Sequence, residues 1–322
     1  MGSPVMFDLH AHFIPPDVMG WLRRHADAVD ARWERRQEGR ADFLVVGGRW
    51  PFELKPAFVE PQLFLQEQAR VGVTCTLVSP VPQLFVYEAP AAAAAELAAL
   101  YNDSLARWAR EAGGAVLALA TVPLQEPVRA AQELERAMGM GLRGAIVGTD
   151  CAGRMLSDPS LLPFWEAADG LGAVVFLHPL LSQDPRLRRP MMPHLVGVPW
   201  ETTVAAADLI LSGLLDRFAR VRLLLAHGGG YLPYQLGRME RGYQQWPAVR
   251  AALARPPSEY LRRFWFDSLL WSRHALDCLV ALAGPDRVVP GSDYPFDLSA
   301  RPPAPVGEAG VRALLDLPGG PR

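Results

Sequence analysis

Seven histidines stand in this 322-residue chain, and four of them close short apolar runs. His10 and His12 end the run Phe7-Asp8-Leu9-His10-Ala11-His12. Residues two apart on an extended chain share a face, so these two imidazoles stand side by side and can grip one metal ion. His178 ends Val175-Phe176-Leu177, and His227 ends Leu224-Leu225-Ala226 ahead of Gly228-Gly229-Gly230. Asp293 follows Gly291-Ser292 at the end of another run. Imidazole nitrogens and carboxylate oxygens bind divalent transition metals and carry protons near neutral pH. A lone histidine is usually a surface or core residue, but five such groups at four run ends do not fit that account. His25 and His274 fall in helical segments and read as solvated. His194 lies in a loop where spacing assigns it no role.

These side chains need a scaffold that brings run ends together. Eight apolar, β-branched runs recur: Val5–His10, Cys75–Val78, Val116–Val122, Ala145–Val147, Val174–His178, Arg222–His227, Phe264–Asp267 and Val288–Asp293. Amphipathic stretches separate most of them, among them Pro90–Arg110, Pro127–Met138, Glu201–Arg220 and Arg273–Ala283. Near-continuous apolar strands alternating with helices indicate a parallel sheet covered on both faces. Eight units in this length predict one α/β domain over residues 1–322, a (β/α)8 TIM barrel whose strand exits form a single mouth.

Two segments exceed a minimal barrel. Residues about 13–59 precede the first clear helix and hold a small inserted hairpin, Phe43–Val46 and Phe52–Leu54 around Gly47-Gly48-Arg49. Residues 179–199, rich in Pro, Arg and Met, read as a long loop leaving the fifth strand. The tail after Ser299 is rich in Pro and Gly, with a weakly apolar stretch at Val311–Leu317.

Composition excludes several classes. Half the residues are apolar, mean hydropathy is +0.07 and nine are Trp, which argues against disorder. The net charge of −2 shows no basic surplus for nucleic acid. No apolar run approaches the ~20 residues of a membrane span, and the N-terminus lacks a secretory pattern. Three widely spaced cysteines fit a reducing cytoplasm. Lys55 is the sole lysine, which disfavours Schiff-base chemistry and a carboxylated lysine bridge.

The placement of His10, His12, His178, His227 and Asp293 resembles the amidohydrolase superfamily. So do Val198-Pro199-Trp200-Glu201-Thr202, His227-Gly228-Gly229-Gly230, Leu236-Gly237-Arg238 and Gly291-Ser292-Asp293-Tyr294-Pro295-Phe296, which are similar to its decarboxylating branch. The resemblance spans about residues 5–298. It implies His10, His12, His178 and Asp293 as ligands of one Zn²⁺ per subunit, because the fourth run, Arg143–Thr149, lacks the lysine that two-metal members use. Three nitrogens and one carboxylate suit zinc, although ligand type separates it weakly from Mn²⁺, Co²⁺ or Fe²⁺. The resemblance further implies His227 as the acid/base and two arginines that bind substrate carboxylates. Arg49 is the candidate for the first and Arg238, eleven positions after His227, for the second; the latter reaches in from the neighbouring subunit of a homodimer. The implied activity is decarboxylation of a small unsaturated or aromatic carboxylate, with 2-amino-3-carboxymuconate 6-semialdehyde favoured. Leu180 and His194 stand where Trp is usual in this branch.

The chemistry fits these groups. Zinc lowers the pKa of bound water to about 7, a neighbouring histidine can move protons, and the arginine fork holds carboxylates without losing charge. The rival is a hydrolase or hydratase of the same superfamily, acting on a lactone or dicarboxylate. A catalytically dead zinc scaffold is the third reading. Asp8 shares parity with His10 and His12, as a partner of the ligands or a structural carboxylate. Asp267 lines the pocket or satisfies backbone donors, and Cys151 reads as a passive thiol. No G-x-S-x-G, H-E-x-x-H, P-loop or dinucleotide fingerprint is present.

Overall fold

The computed structural model describes residues 6–36, 42–48 and 51–317. The chain forms two compact units, Met1–Val147 with Gly291–Ala304, and Gly148–Pro290 with Pro305–Arg322.

In the first unit, β1 (Phe7–His12), β2 (Cys75–Ser79) and β3 (Val116–Ala118) form a parallel sheet in that order. β4 (Gly144–Val147) joins the chain just past β3 through a parallel bridge between Ala120 and Ala145. Every residue of β1, β2 and β4 is buried, which is why these strands read as continuous apolar runs rather than alternating ones. Helices α1 (Pro16–Arg24), α2 (Pro61–Arg70), α3 (Ala91–Glu111) and α4 (Pro127–Gly139) accompany them.

In α3 the Ala-rich start favours helix intrinsically, and Ala94, Leu97, Ala98, Tyr101, Leu105 and Trp108 give it a buried stripe. That stripe also fastens strand exits. The Tyr101 hydroxyl donates to Phe13 O (2.7 Å) and accepts from Val81 N (3.2 Å), so one phenol holds the chain just past β1 and β2.

The second unit carries β5 (Val174–Leu177), β6 (Arg222–Leu225), β7 (Phe264–Asp267) and β8 (Val288–Val289), parallel and paired in sequence order. Its longer helices are α5 (Leu162–Leu171), α6 (Val198–Leu211), α7 (Leu232–Gln245), α8 (Arg273–Ala283) and α9 (Glu308–Leu315). Among the described residues no helix is long and apolar enough to cross a membrane.

All eight expected runs contain strand. Four local readings change. The insertion contains α1, whose Val18, Met19, Trp21 and Leu22 are buried, so helix begins well before residue 60. Its hairpin, Phe43–Val45 with Phe52–Glu53, gains a third antiparallel strand at Arg32–Glu34, a segment too charged to read as strand. The long loop holds a 3-10 turn at Pro185–Leu187 and a π turn at Pro193–Gly197, where hydrogen bonding overrides a proline-rich composition. The stretch near the end of the chain is α9, with Val311, Leu314 and Leu315 buried.

Candidate metal centre and flanking histidines

Sheet register explains how β1 aims its histidines. Asp8 pairs with Thr76 and Ala11 with Val78, so β1 carries one extra residue between them. Such a bulge re-aims side chains and breaks strict alternation. The parity argument for Asp8 therefore fails. Asp8 instead accepts from Gln68 Nε2 of α2 (2.8 Å), Ser292 Oγ (2.5 Å), Ser292 N (3.0 Å) and His10 N (3.2 Å). This fully buried carboxylate ties β1 to the segment carrying Asp293. Burial pushes its pKa up, against the pull of Ser292 and Gln68.

The same two segments are bonded along their backbones. Asp293 N donates to His10 O (2.7 Å) and His12 N to Tyr294 O (2.7 Å). Asp293 has φ +59°, a left-handed conformation that aspartate tolerates better than most residues. The result is a compact donor triangle. His10 Nε2 lies 3.1 Å from His12 Nε2, and Asp293 Oδ1 lies 3.2 Å from each.

Edges of that length suit a shared cation. A point ~2.1 Å from all three atoms sits just off their plane, with angles of about 100° between donors. The tautomer suits it too. His12 Nδ1 donates to Pro80 O (3.1 Å), which leaves Nε2 its lone pair. Burial keeps the His12 pKa below its usual value despite the adjacent Asp293, and the neutral ring is the ligating form.

The inserted sheet is seated beside this triangle. Phe296 packs on His12 (5.2 Å between ring centroids), Phe58 (4.9 Å) and Phe52 (5.8 Å), and Phe52 belongs to the last inserted strand. Lys55 Nζ donates to Pro295 O (3.0 Å) and pairs with Asp297, so the one lysine is a strap. Arg49 lies outside the described residues.

In the second unit His178 follows β5, and its Nδ1 donates to Pro179 O (3.0 Å), again freeing Nε2 as an acceptor or ligand atom. The His178 and His227 rings meet edge to face, with centroids 5.3 Å apart. His227 itself has φ +54°, followed by three glycines at positive φ. A Cβ at Gly228 would come within 2.5 Å of Leu270, at Gly229 within 2.7 Å of Phe266, and at Gly230 within 2.1 Å of Pro199 O. The glycines therefore serve close packing against β7, its loop and α6.

Asp267 settles its two readings in favour of backbone donors. Fully buried, its Oδ2 accepts from His227 N (2.8 Å), and its Oδ1 accepts from Gly228 N (2.9 Å) and Leu269 N (3.1 Å). One carboxylate thus holds both the His227 turn and the loop after β7. In Asp267→Asn the amide faces one of these N–H groups with a donor. The expected cost is about 1–3 kcal/mol, read by chemical denaturation; an unchanged midpoint removes this role.

Arg238 is exposed on α7, one turn beyond exposed Tyr234, and makes no hydrogen bond or ion pair with the described residues. His25 stacks on Trp21 at the end of α1, and half-buried His194 lies in the π turn. Sequence reasoning missed Trp271, whose indole lies nearly parallel to the His227 ring. Its position in a strand-exit loop, four residues after Asp267, was the available signal.

Comparison with known proteins extends these observations. The signature of the family described as Amidohydrolase matches residues 7–318. A 2-amino-3-carboxymuconate-6-semialdehyde decarboxylase of Dictyostelium discoideum is 33% identical over 307 residues, covering 94% of this chain and 85% of that protein. Among solved structures, a 5-carboxyvanillate decarboxylase from Sphingomonas paucimobilis superposes with a TM-score of 0.81 at 24% identity, covering 98% of this chain and 100% of the other. A dihydroxybenzoic acid decarboxylase from Polaromonas sp. JS666, with bound manganese and the inhibitor 2-nitroresorcinol, gives 0.76 at 20% identity, covering 98% and 97%. With eight parallel strands interleaved with helices, the fold class is the (β/α)8 barrel, and the chain belongs to the amidohydrolase family.

Proposed function

We propose that this chain is a metal-dependent decarboxylase of a small conjugated carboxylate. The observation that carries the reading is the buried triangle of His10, His12 and Asp293 at the exit of β1. His178 is the proposed fourth ligand, which would make a donor set of three nitrogens and one carboxylate. Zinc is the proposed metal because that set suits it; manganese, held by the Polaromonas sp. structure, is the outcome that would correct it. A divalent cation there supplies positive charge that stabilises the electron density left behind as CO₂ departs.

The chain's own residues do the rest. The bond between the substrate carbon and its carboxylate breaks, its electron pair stays on that carbon, and one proton replaces CO₂. His227 delivers that proton, held in place by Asp267 beneath its backbone. Arg49 and Arg238 hold substrate carboxylates by bidentate hydrogen bonds. The name of the Dictyostelium relative supports 2-amino-3-carboxymuconate 6-semialdehyde as the substrate to try first. Three cysteines outside any disulfide among the described residues fit a reducing, cytoplasmic setting.

The experiment is to incubate the metal-analysed protein with that compound and other conjugated carboxylates, in ¹⁸O-labelled water, and measure released CO₂. CO₂ without solvent oxygen in the product supports decarboxylation. Labelled product without CO₂ turns the reading to the hydrolase or hydratase alternative.

Because Arg238 is exposed and makes no hydrogen bond or ion pair among the described residues, it is proposed to act in the partner subunit of a homodimer. Val204 and Leu211 of α6, with Tyr231 and Tyr234 at the start of α7, are exposed apolar groups for such an interface. Dimers assembled from equal amounts of His227→Asn and Arg238→Ala chains are expected to regain about a quarter of wild-type activity, because half are mixed and each mixed dimer has one intact site. No recovery on mixing places Arg238 in its own subunit's site or in none.

A further inference from the structure

We propose that Trp271 is a specificity-determining residue, a platform on which a flat, conjugated substrate lies beside His227. What the substrate is rests on the decarboxylase reading above; that Trp271 is a platform does not.

Trp271 combines two unfavourable features. Its φ is +50°, a backbone region that bulky side chains rarely adopt. The residue is also 58% exposed, so much of the benefit of burying so large an apolar side chain is forgone. Strain of this kind persists where the surroundings over-determine it.

Here they do. Asp267 accepts from Leu269 N, two residues before Trp271, and from His227 N and Gly228 N. Leu270 presses on the backbone of Gly228 so closely that a Cβ there would come within 2.5 Å. On the other side Ser272 caps α8, its hydroxyl accepting from Ala275 N (3.4 Å). Trp271 is therefore fixed between two anchors, and the first is shared with His227. The indole and imidazole are nearly parallel, 15° between planes with centroids 6.3 Å apart.

A flat π face held beside a candidate proton donor selects by shape. A planar ring or extended conjugated chain makes full face contact with the indole and lies parallel to the imidazole. A puckered, saturated carboxylate of the same charge touches it only at scattered atoms. The platform thus admits the substrates whose conjugation can accept the electrons that decarboxylation leaves behind.

The test compares two probes on the metal-loaded protein by titration calorimetry, 2-hydroxybenzoate and its saturated analogue cis-2-hydroxycyclohexanecarboxylate. Wild type is expected to prefer the planar probe. In Trp271→Gly, where glycine suits the left-handed backbone, the thermal midpoint is expected to hold or rise. Planar binding should weaken about tenfold or more, the scale of aromatic stacking losses, with little change for the saturated probe. Trp271→Phe should restore most of the preference. No planar preference in wild type, its retention in Trp271→Gly, or equal weakening of both probes overturns the proposal, the last assigning Trp271 to packing or to a subunit interface. CO₂ release is scored separately. Its absence with the planar preference intact removes the decarboxylase reading and leaves the platform standing.

Discussion

His10→Ala is expected to abolish metal retention and CO₂ release together. His10 is fully buried, and its Nε2 is one corner of the triangle with His12 Nε2 (3.1 Å) and Asp293 Oδ1 (3.2 Å). Removing it leaves two donors where three met. Loss of an outer hydrogen-bonding partner already costs roughly 10–100-fold in metal affinity, and loss of a donor should cost more. The measurement is elemental analysis after gel filtration, paired with CO₂ release across a metal titration. Activity should return only at metal concentrations far above those wild type needs. A His10→Ala protein that keeps both its metal and its activity ends the metal assignment.

His227→Asn separates chemistry from metal binding. Asparagine is chosen because position 227 sits at φ +54°, where asparagine is at ease and alanine is strained. The backbone N–H still reaches Asp267. Metal content and folding should match wild type while kcat falls about 10²–10⁴-fold, the usual contribution of a positioned acid/base. The KM of the substrate should move little, because the arginines and not His227 are proposed to bind it. An unchanged kcat removes His227 as the proton donor.

Much of the fold was legible in advance for one physical reason. Strands buried on both faces must be apolar along their whole length, so β1, β2, β4, β5 and β7 stand out as Phe7–His12, Cys75–Ser79, Gly144–Val147, Val174–Leu177 and Phe264–Asp267. Helix α8 matched residue for residue, Arg273–Ala283, because Ser272 caps it and Gly284 ends it. The strand Arg32–Glu34 was not legible, since its charged residues carry no apolar signal and it is held by antiparallel pairing with Phe43–Val45.

The site divides in the same way. By itself the sequence determined which residue types end which strands, because metal ligands and proton carriers are chemically few and the polar group closing an apolar run is conspicuous. It placed His10, His12 and Asp293 as candidates, and those three meet. Only the tertiary structure decided where side chains point. The extra residue in β1 takes Asp8 off the parity of its histidines and hands it to Gln68 and Ser292. Asp267 serves backbone donors on two separate loops, Arg238 stands exposed on α7, and Trp271 lies along His227. Direction depends on register, bulges and left-handed turns, which are set by pairing between distant segments. No local pattern of residue types encodes that pairing.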